Sequence, residues 1–177
     1  LRGSFDQWHP VLYPLLEWVL LSLWASPAVM SLFQIALFGL LVAGGISLLG
    51  RLRLPRVGRA ALCLIYALFP VYGSFLVTLW KDVPYGVMHF GLALVLVPVV
   101  LSRGRWLHRW GNCALLVLFC SVAILLRYNG ILPVGLLFLA LFWLYAPLRR
   151  RVLLMGLAMS GILWLMMGPF YRALGVT

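Results

Sequence analysis

Charge is scarce in this chain, and it is confined to a few turns. Between those turns run apolar stretches near the ~20 residues that a helix needs to cross hydrocarbon. Ten of the 14 Lys and Arg residues fall in three short loops: Arg51, Arg53, Arg56 and Arg59; Arg103, Arg105 and Arg109; Arg149, Arg150 and Arg151. The other four, Arg2, Lys81, Arg127 and Arg172, lie at the opposite ends of the same stretches, as do all three acids, Asp6, Glu17 and Asp82. Loops on the cytoplasmic side of a membrane protein collect Lys and Arg. The three arginine loops are therefore expected inside, and the remaining charges on the outer face.

A soluble domain carries about a quarter charged residues; this chain carries 10% and is 65% hydrophobic. It reads as an integral membrane protein, all-α, a polytopic transmembrane helix bundle. A net charge of +11 would suggest a nucleic-acid partner in a soluble protein. Here most of it is topology signal, and no nucleic acid is expected. Cys63, Cys113 and Cys120 fall inside expected spans without metal-ligand spacing, and read as packing residues. The chain opens on Leu1 without a signal-like basic segment, so at least one earlier span is expected upstream.

The spans read as residues 28–50, 60–79, 83–101, 112–126, 131–147 and 152–170, in one transmembrane domain covering residues 1–177. Ser26-Pro27 supplies a cap residue and a proline for the first helical position. Asn129-Gly130 reads as a helix stop and turn. Pro70 and Pro98 sit inside spans and are expected to kink them. Gly39, Gly44 and Gly45 suit close helix packing. Residues 9–25 break the alternation, because a crossing there would put the first arginine loop outside. A helix of that length reaches about 24 Å against a core of about 30 Å. It also holds Pro14, Glu17 and the interfacial aromatics Trp8, Tyr13, Trp18 and Trp24. It reads as a non-spanning juxtamembrane helix on the outer face, with a seventh span as the alternative.

Four polar clusters share that outer face: Asp6-Gln7-Trp8-His9-Pro10 with Tyr13; Trp80-Lys81-Asp82 with Tyr85 and His89; Arg127-Tyr128-Asn129-Gly130; and Tyr171-Arg172. Ionisable residues at the ends of apolar spans are functional candidates because their burial is costly. Each also has a plain structural role open to it. Asp82 can cap a helix, Lys81 and Arg127 can snorkel to headgroups, His9 can start a helix, and Asp6 can sit in a solvated loop. His89 can be a packed polar residue, Glu17 can face water, His108 can be solvated among arginines, and Tyr171-Arg172 can anchor at the interface. Together, an acid, a histidine and two or more cations on one face suit group transfer from a lipid phosphate. No nucleotide sugar reaches that face, so the donor has to be membrane-borne, as a polyprenyl-phosphate sugar is. Its leaving phosphate calls for Lys or Arg, and the acceptor hydroxyl for a carboxylate base.

The segment Asp6-Gln7-Trp8-His9-Pro10-Val11-Leu12-Tyr13 resembles the Asp-x-x-His-Pro-x-x-Tyr segment in the first outer loop of polytopic GT-C glycosyltransferases, among them protein O-mannosyltransferases and lipid A aminoarabinose transferases. Trp80-Lys81-Asp82-x-x-Tyr85 and Arg127-Tyr128-Asn129-Gly130 are similar to outer turns of the same group. The resemblance implies an inverting transferase acting on a lipid, glycan or protein acceptor, with membrane lipid around it. It implies Asp6 and His9 as catalytic residues. Lys81, Asp82, Tyr85, His89, Arg127 and Asn129 would bind substrate and phosphate. No obligatory cofactor or metal is implied, with a divalent ion still open. The chain departs from the family where His-Pro-Pro reads His-Pro-Val and where Asp6 is the only acid of its loop. A transporter or lipid flippase is the alternative, but such proteins place charges near the midplane and often repeat internally. A non-catalytic membrane subunit is the third reading.

Overall fold

The computed structural model describes residues 12–171, and all regular structure among them is helical. Leu16–Leu94 forms one compact unit; residues 12–15 with 95–171 form the other. The two divisions fall inside helices, at residues 15/16 and 94/95.

The first helix, α1 (Leu12–Leu23), is twelve residues long. It reaches about 18 Å, too short to cross hydrocarbon. Glu17 is half-buried on it, and Trp18 is exposed.

In the N-terminal unit, α2 (Ala28–Arg51) begins where Ser26 Oγ accepts the Ala28 N–H at 3.4 Å. It ends in a paired stop: Leu54 N–H donates to Leu49 at 3.0 Å and Arg53 N–H to Gly50 at 3.2 Å. Arg53 takes the left-handed conformation, φ 67°, that usually goes to glycine in this motif. The chain returns through α3 (Arg56–Leu68) and α4 (Pro70–Leu76). Pro70 lacks an N–H, and Phe69 before it is extended at φ −72°, ψ 113°, so the two helices meet at 52°.

The return is antiparallel to α2. Arg59 lies against Gly50 at one end, Phe38 meets Tyr66 and Tyr72 in the middle, and Ser31 Oγ donates to the Val77 carbonyl at the other. The next helix, α5 (Asp82–Leu101), runs parallel to α2. Val83 and Val87 pack with Leu76 against Leu37, Phe38 and Leu41, and a Cβ on Gly45 would lie 3.1 Å from Leu94. This up-down-up order puts Arg51, Arg53, Arg56 and Arg59 at one end, and Lys81 and Asp82 at the other.

In the C-terminal unit, α5 stops as α2 does. Gly104 N–H donates to Val99 at 2.8 Å and Arg103 N–H to Val100 at 3.0 Å, with Arg103 at φ 51° and Gly104 at φ 82°. A 3-10 turn, Arg105–His108, leads to α6 (Trp110–Leu126). Arg127 is extended, the Tyr128–Gly130 turn follows, and α7 (Ile131–Leu144) runs back. Tyr145 and Leu148 close over Gly104, and α8 (Arg149–Leu165) departs from that same end. It widens to a π-helical turn, Met166–Phe170, around Pro169, which cannot donate. Arg151 ties the end together. Its Nη1 donates to the Leu107 carbonyl at 3.0 Å and to the His108 carbonyl, and its guanidinium lies 5.0 Å from the Trp110 ring. Arg103, Arg105, Arg109 and Arg149–Arg151 thus gather at one end of this unit, with Arg127 at the other.

Among the described residues, three helical stretches are long and apolar enough to cross a membrane: Ala28–Arg51, Asp82–Leu101 and Ala146–Phe170. The bent pair α3–α4 makes a fourth if taken as one span; α6 and Tyr128–Leu144 are shorter.

Several local expectations need correction. Gly130 sits at φ −61°, so it is not a left-handed stop. Its lack of a side chain matters because a Cβ there would lie 3.1 Å from the Ala123 carbonyl oxygen. Pro70 bends its stretch as expected, while α5 continues through Pro98 without a break. Of the three α2 glycines only Gly45 is packed; Gly39 and Gly44 face open space. Cys113 and Cys120 are buried as expected, whereas Cys63 is exposed.

Candidate functional site

Apolar composition drives α5 to form, and its first turns carry the exception. Lys81 occupies the turn before the helix and Asp82 is its first residue. A carboxylate there complements the partial positive charge of the helix start. Tyr85 and His89 follow at the three- and four-residue spacings that place side chains on one helix face. The two rings lie 4.2 Å apart, centroid to centroid, at 53°. His89 Nδ1 is 3.0 Å from the Tyr85 carbonyl oxygen. A carbonyl only accepts, so Nδ1 donates and the neutral ring carries its lone pair on Nε2. Nε2 is buried with no hydrogen-bond partner among the described residues.

The polar strip from Asp82 to His89 reaches about 10 Å along the helix. Lys81, Asp82, Tyr85 and His89 are all half-buried, and none of Lys81, Asp82 and Tyr85 is a free side chain.

Arg127 and Asn129 belong to the C-terminal unit. Arg127 is half-buried where α6 ends: its N–H donates to Ala123 at 3.2 Å and its carbonyl accepts from Gly130 at 2.8 Å. It too is engaged, while Asn129 is exposed. Asp6, His9 and Arg172 lie outside the described residues. The structure thus brings Lys81, Asp82, Tyr85 and His89 together on one helix start. Among the described residues no three His, Cys, Asp or Glu side chains gather as a metal site would require.

Sequence reading missed Gln34. It is fully buried in α2, and neither amide atom has a hydrogen-bond partner among the described residues. It lies three residues beyond Ser31, whose hydroxyl holds the turn leading to Lys81. Leaving such an amide unsatisfied costs about 1–3 kcal/mol. The signal was present: Gln34 is the one amide in a 24-residue apolar helix. Arg151 was read only as topology, and its grip on the Leu107 and His108 carbonyls has no signature in sequence spacing.

No protein-family model, curated protein or solved structure matches this chain.

Proposed function

We propose that the chain is the membrane portion of a GT-C-like glycosyltransferase. It moves a sugar from a polyprenyl-phosphate donor to a hydroxyl of a lipid, glycan or protein acceptor. In this reading it is a multi-pass protein of the plasma (inner) membrane with six spans. The arginine loops face the cytoplasm, α1 lies on the outer leaflet, and the reaction occurs on the periplasmic or extracellular face.

The observation that carries the reading is the polar strip at the start of α5. A cation, an acid, a phenol and an imidazole with an open lone pair stand together where an otherwise apolar helix begins. Burial there is costly enough to call for a ligand or a chemical role. The separation of charge within each unit supports the same orientation: Lys81 and Asp82 stand opposite one arginine loop, and Arg127 stands opposite the other two.

Lys81 and Arg127 meet the leaving phosphate, whose developing charge needs cations in a low-dielectric setting. Asp82 holds Lys81 or receives a sugar hydroxyl. Tyr85 and His89 line the sugar's approach, and Gln34 adds an amide with open hydrogen bonds. Asp6 is the acceptor's base and His9 orients it. Displacement in a single step inverts the anomeric centre.

The test is transfer of labelled sugar from a polyprenyl-phosphate donor by the intact membrane protein. Lys81→Ala and Arg127→Ala should each lower the rate by about 100-fold or more, at unchanged expression. Undiminished transfer in both variants overturns the assignment. Cysteines placed at Asn129 and Trp80 should react with an impermeant reagent from the same side. Reaction from opposite sides also overturns it.

A further inference from the structure

We infer that the C-terminal unit holds an anionic phospholipid, one acyl chain lying between α6 and α8 and the phosphate headgroup among the arginines where both helices begin. The inference concerns the end of the unit opposite Arg127 and does not depend on the transferase reading.

A groove of about 760 Å³ runs between the two helices. Trp110, Val117 and Leu125 line it from α6; Leu154, Ala158 and Ile162 line it from α8. Its extent along α6, from Trp110 to Leu125, is about 22 Å, the reach of an extended fatty acyl chain. The walls are apolar, so a headgroup can lie only at an end.

The two ends differ in charge. At the α8 start, Arg150 is exposed and stands four residues before Leu154 and eight before Ala158, on the groove-facing stripe. Arg151 lies over Trp110, the groove's first α6 residue, and its hold on the Leu107 and His108 carbonyls draws the Arg105–Arg109 loop alongside. Arg109 adjoins Trp110 at the α6 start, while Arg149 turns aside to the carbonyl and ring of Phe142 on α7; residues 95–171 contain no Asp or Glu. Three consecutive arginines also open α8, where the helix's partial positive charge adds to theirs. An excess of positive charge with no internal acid matches an anionic headgroup, and arginine binds phosphate through paired N–H donors. Basic pockets between membrane helices on the cytoplasmic side select such lipids.

The experiment uses the full chain in bilayer discs of equimolar phosphatidylglycerol and phosphatidylcholine. The protein is then exchanged into mild detergent, and the lipid that stays bound is measured by mass spectrometry. Phosphatidylglycerol should be retained about tenfold over phosphatidylcholine. The double variant Arg109→Gln/Arg150→Gln should lose most of that preference, and Arg109→Lys/Arg150→Lys should restore part of it. Ala158→Trp, which fills the groove, should lower retention of both lipids; Leu136→Trp, on the exposed face of α7, should change neither. Should Ala158→Trp fail to fold, the arginine pair decides alone. Equal retention of the two lipids by the unaltered chain overturns the inference, as does a preference that survives in the glutamine double variant.

Discussion

Two helices, α3 and α6, each begin beside an arginine loop, yet they meet different surroundings. None of the 13 residues of α3 is buried, whereas nine of the 17 in α6 are. The sequences explain the contrast. Arg56 and Arg59 occupy the first turn of α3, and its aromatic Tyr66 is turned toward α2. It is a one-sided helix, and the same Tyr66 ring also meets Phe90 of α5. From Cys113 onward α6 carries no charge on any face, and a helix apolar all round is one that others surround. It serves as the axis of its unit, with α7 and α8 on its flanks. In lipid, exposed apolar length costs little, so apolarity alone does not decide which helix is central: α7 is also uncharged throughout, yet only two of its 14 residues are buried.

That contrast can be broken by substitution, with stability read from reversible unfolding in mixed micelles. Leu116 is fully buried in α6, and Leu116→Ala should cost about 3 kcal/mol through lost contacts and the cavity left behind. A smaller effect is expected at the loop feeding α6. A Cβ at Gly104, φ 82°, would lie 2.8 Å from Leu148 and 2.9 Å from Tyr145. Gly104→Ala should therefore cost about 2 kcal/mol, part of it backbone strain. The smallest is on α3: Leu64 is 58% exposed, and Leu64→Ala should stay within about 0.5 kcal/mol. A cost at Leu64 equal to that at Leu116 would mean that α3 is as enclosed as α6, and the contrast would fall.

Much of the helical framework was legible in the sequence. The first expected span, 28–50, matches Ala28–Arg51, and the third, 83–101, matches Asp82–Leu101. Charge and proline mark those ends directly. The stretch 60–79 was less legible. It starts earlier, at Arg56, because an arginine tolerated in the first turn looks like loop in a hydropathy reading. Its break at Phe69 follows the kink expected from Pro70, because the residue before a proline avoids helical geometry. Pro98 shows the limit of that rule, since α5 stays helical through it. Asp82, Tyr85 and His89 could be placed on one face by spacing alone. The open amide of Gln34 could not be read, because whether a buried polar group finds a partner depends on neighbours distant in sequence. The same holds for Arg151, whose partners are 43 and 44 residues away.

The bend at Phe69 has a mechanical consequence. Laid end to end, α3 and α4 would measure about 30 Å; with the second inclined at 52°, their height along the first axis falls to about 26 Å. Taken as one span, the pair would be matched to a thin hydrocarbon slab. A thicker sheet of lipid must either dimple beside it or force the bend to straighten, each at a modest energy per ångström of mismatch.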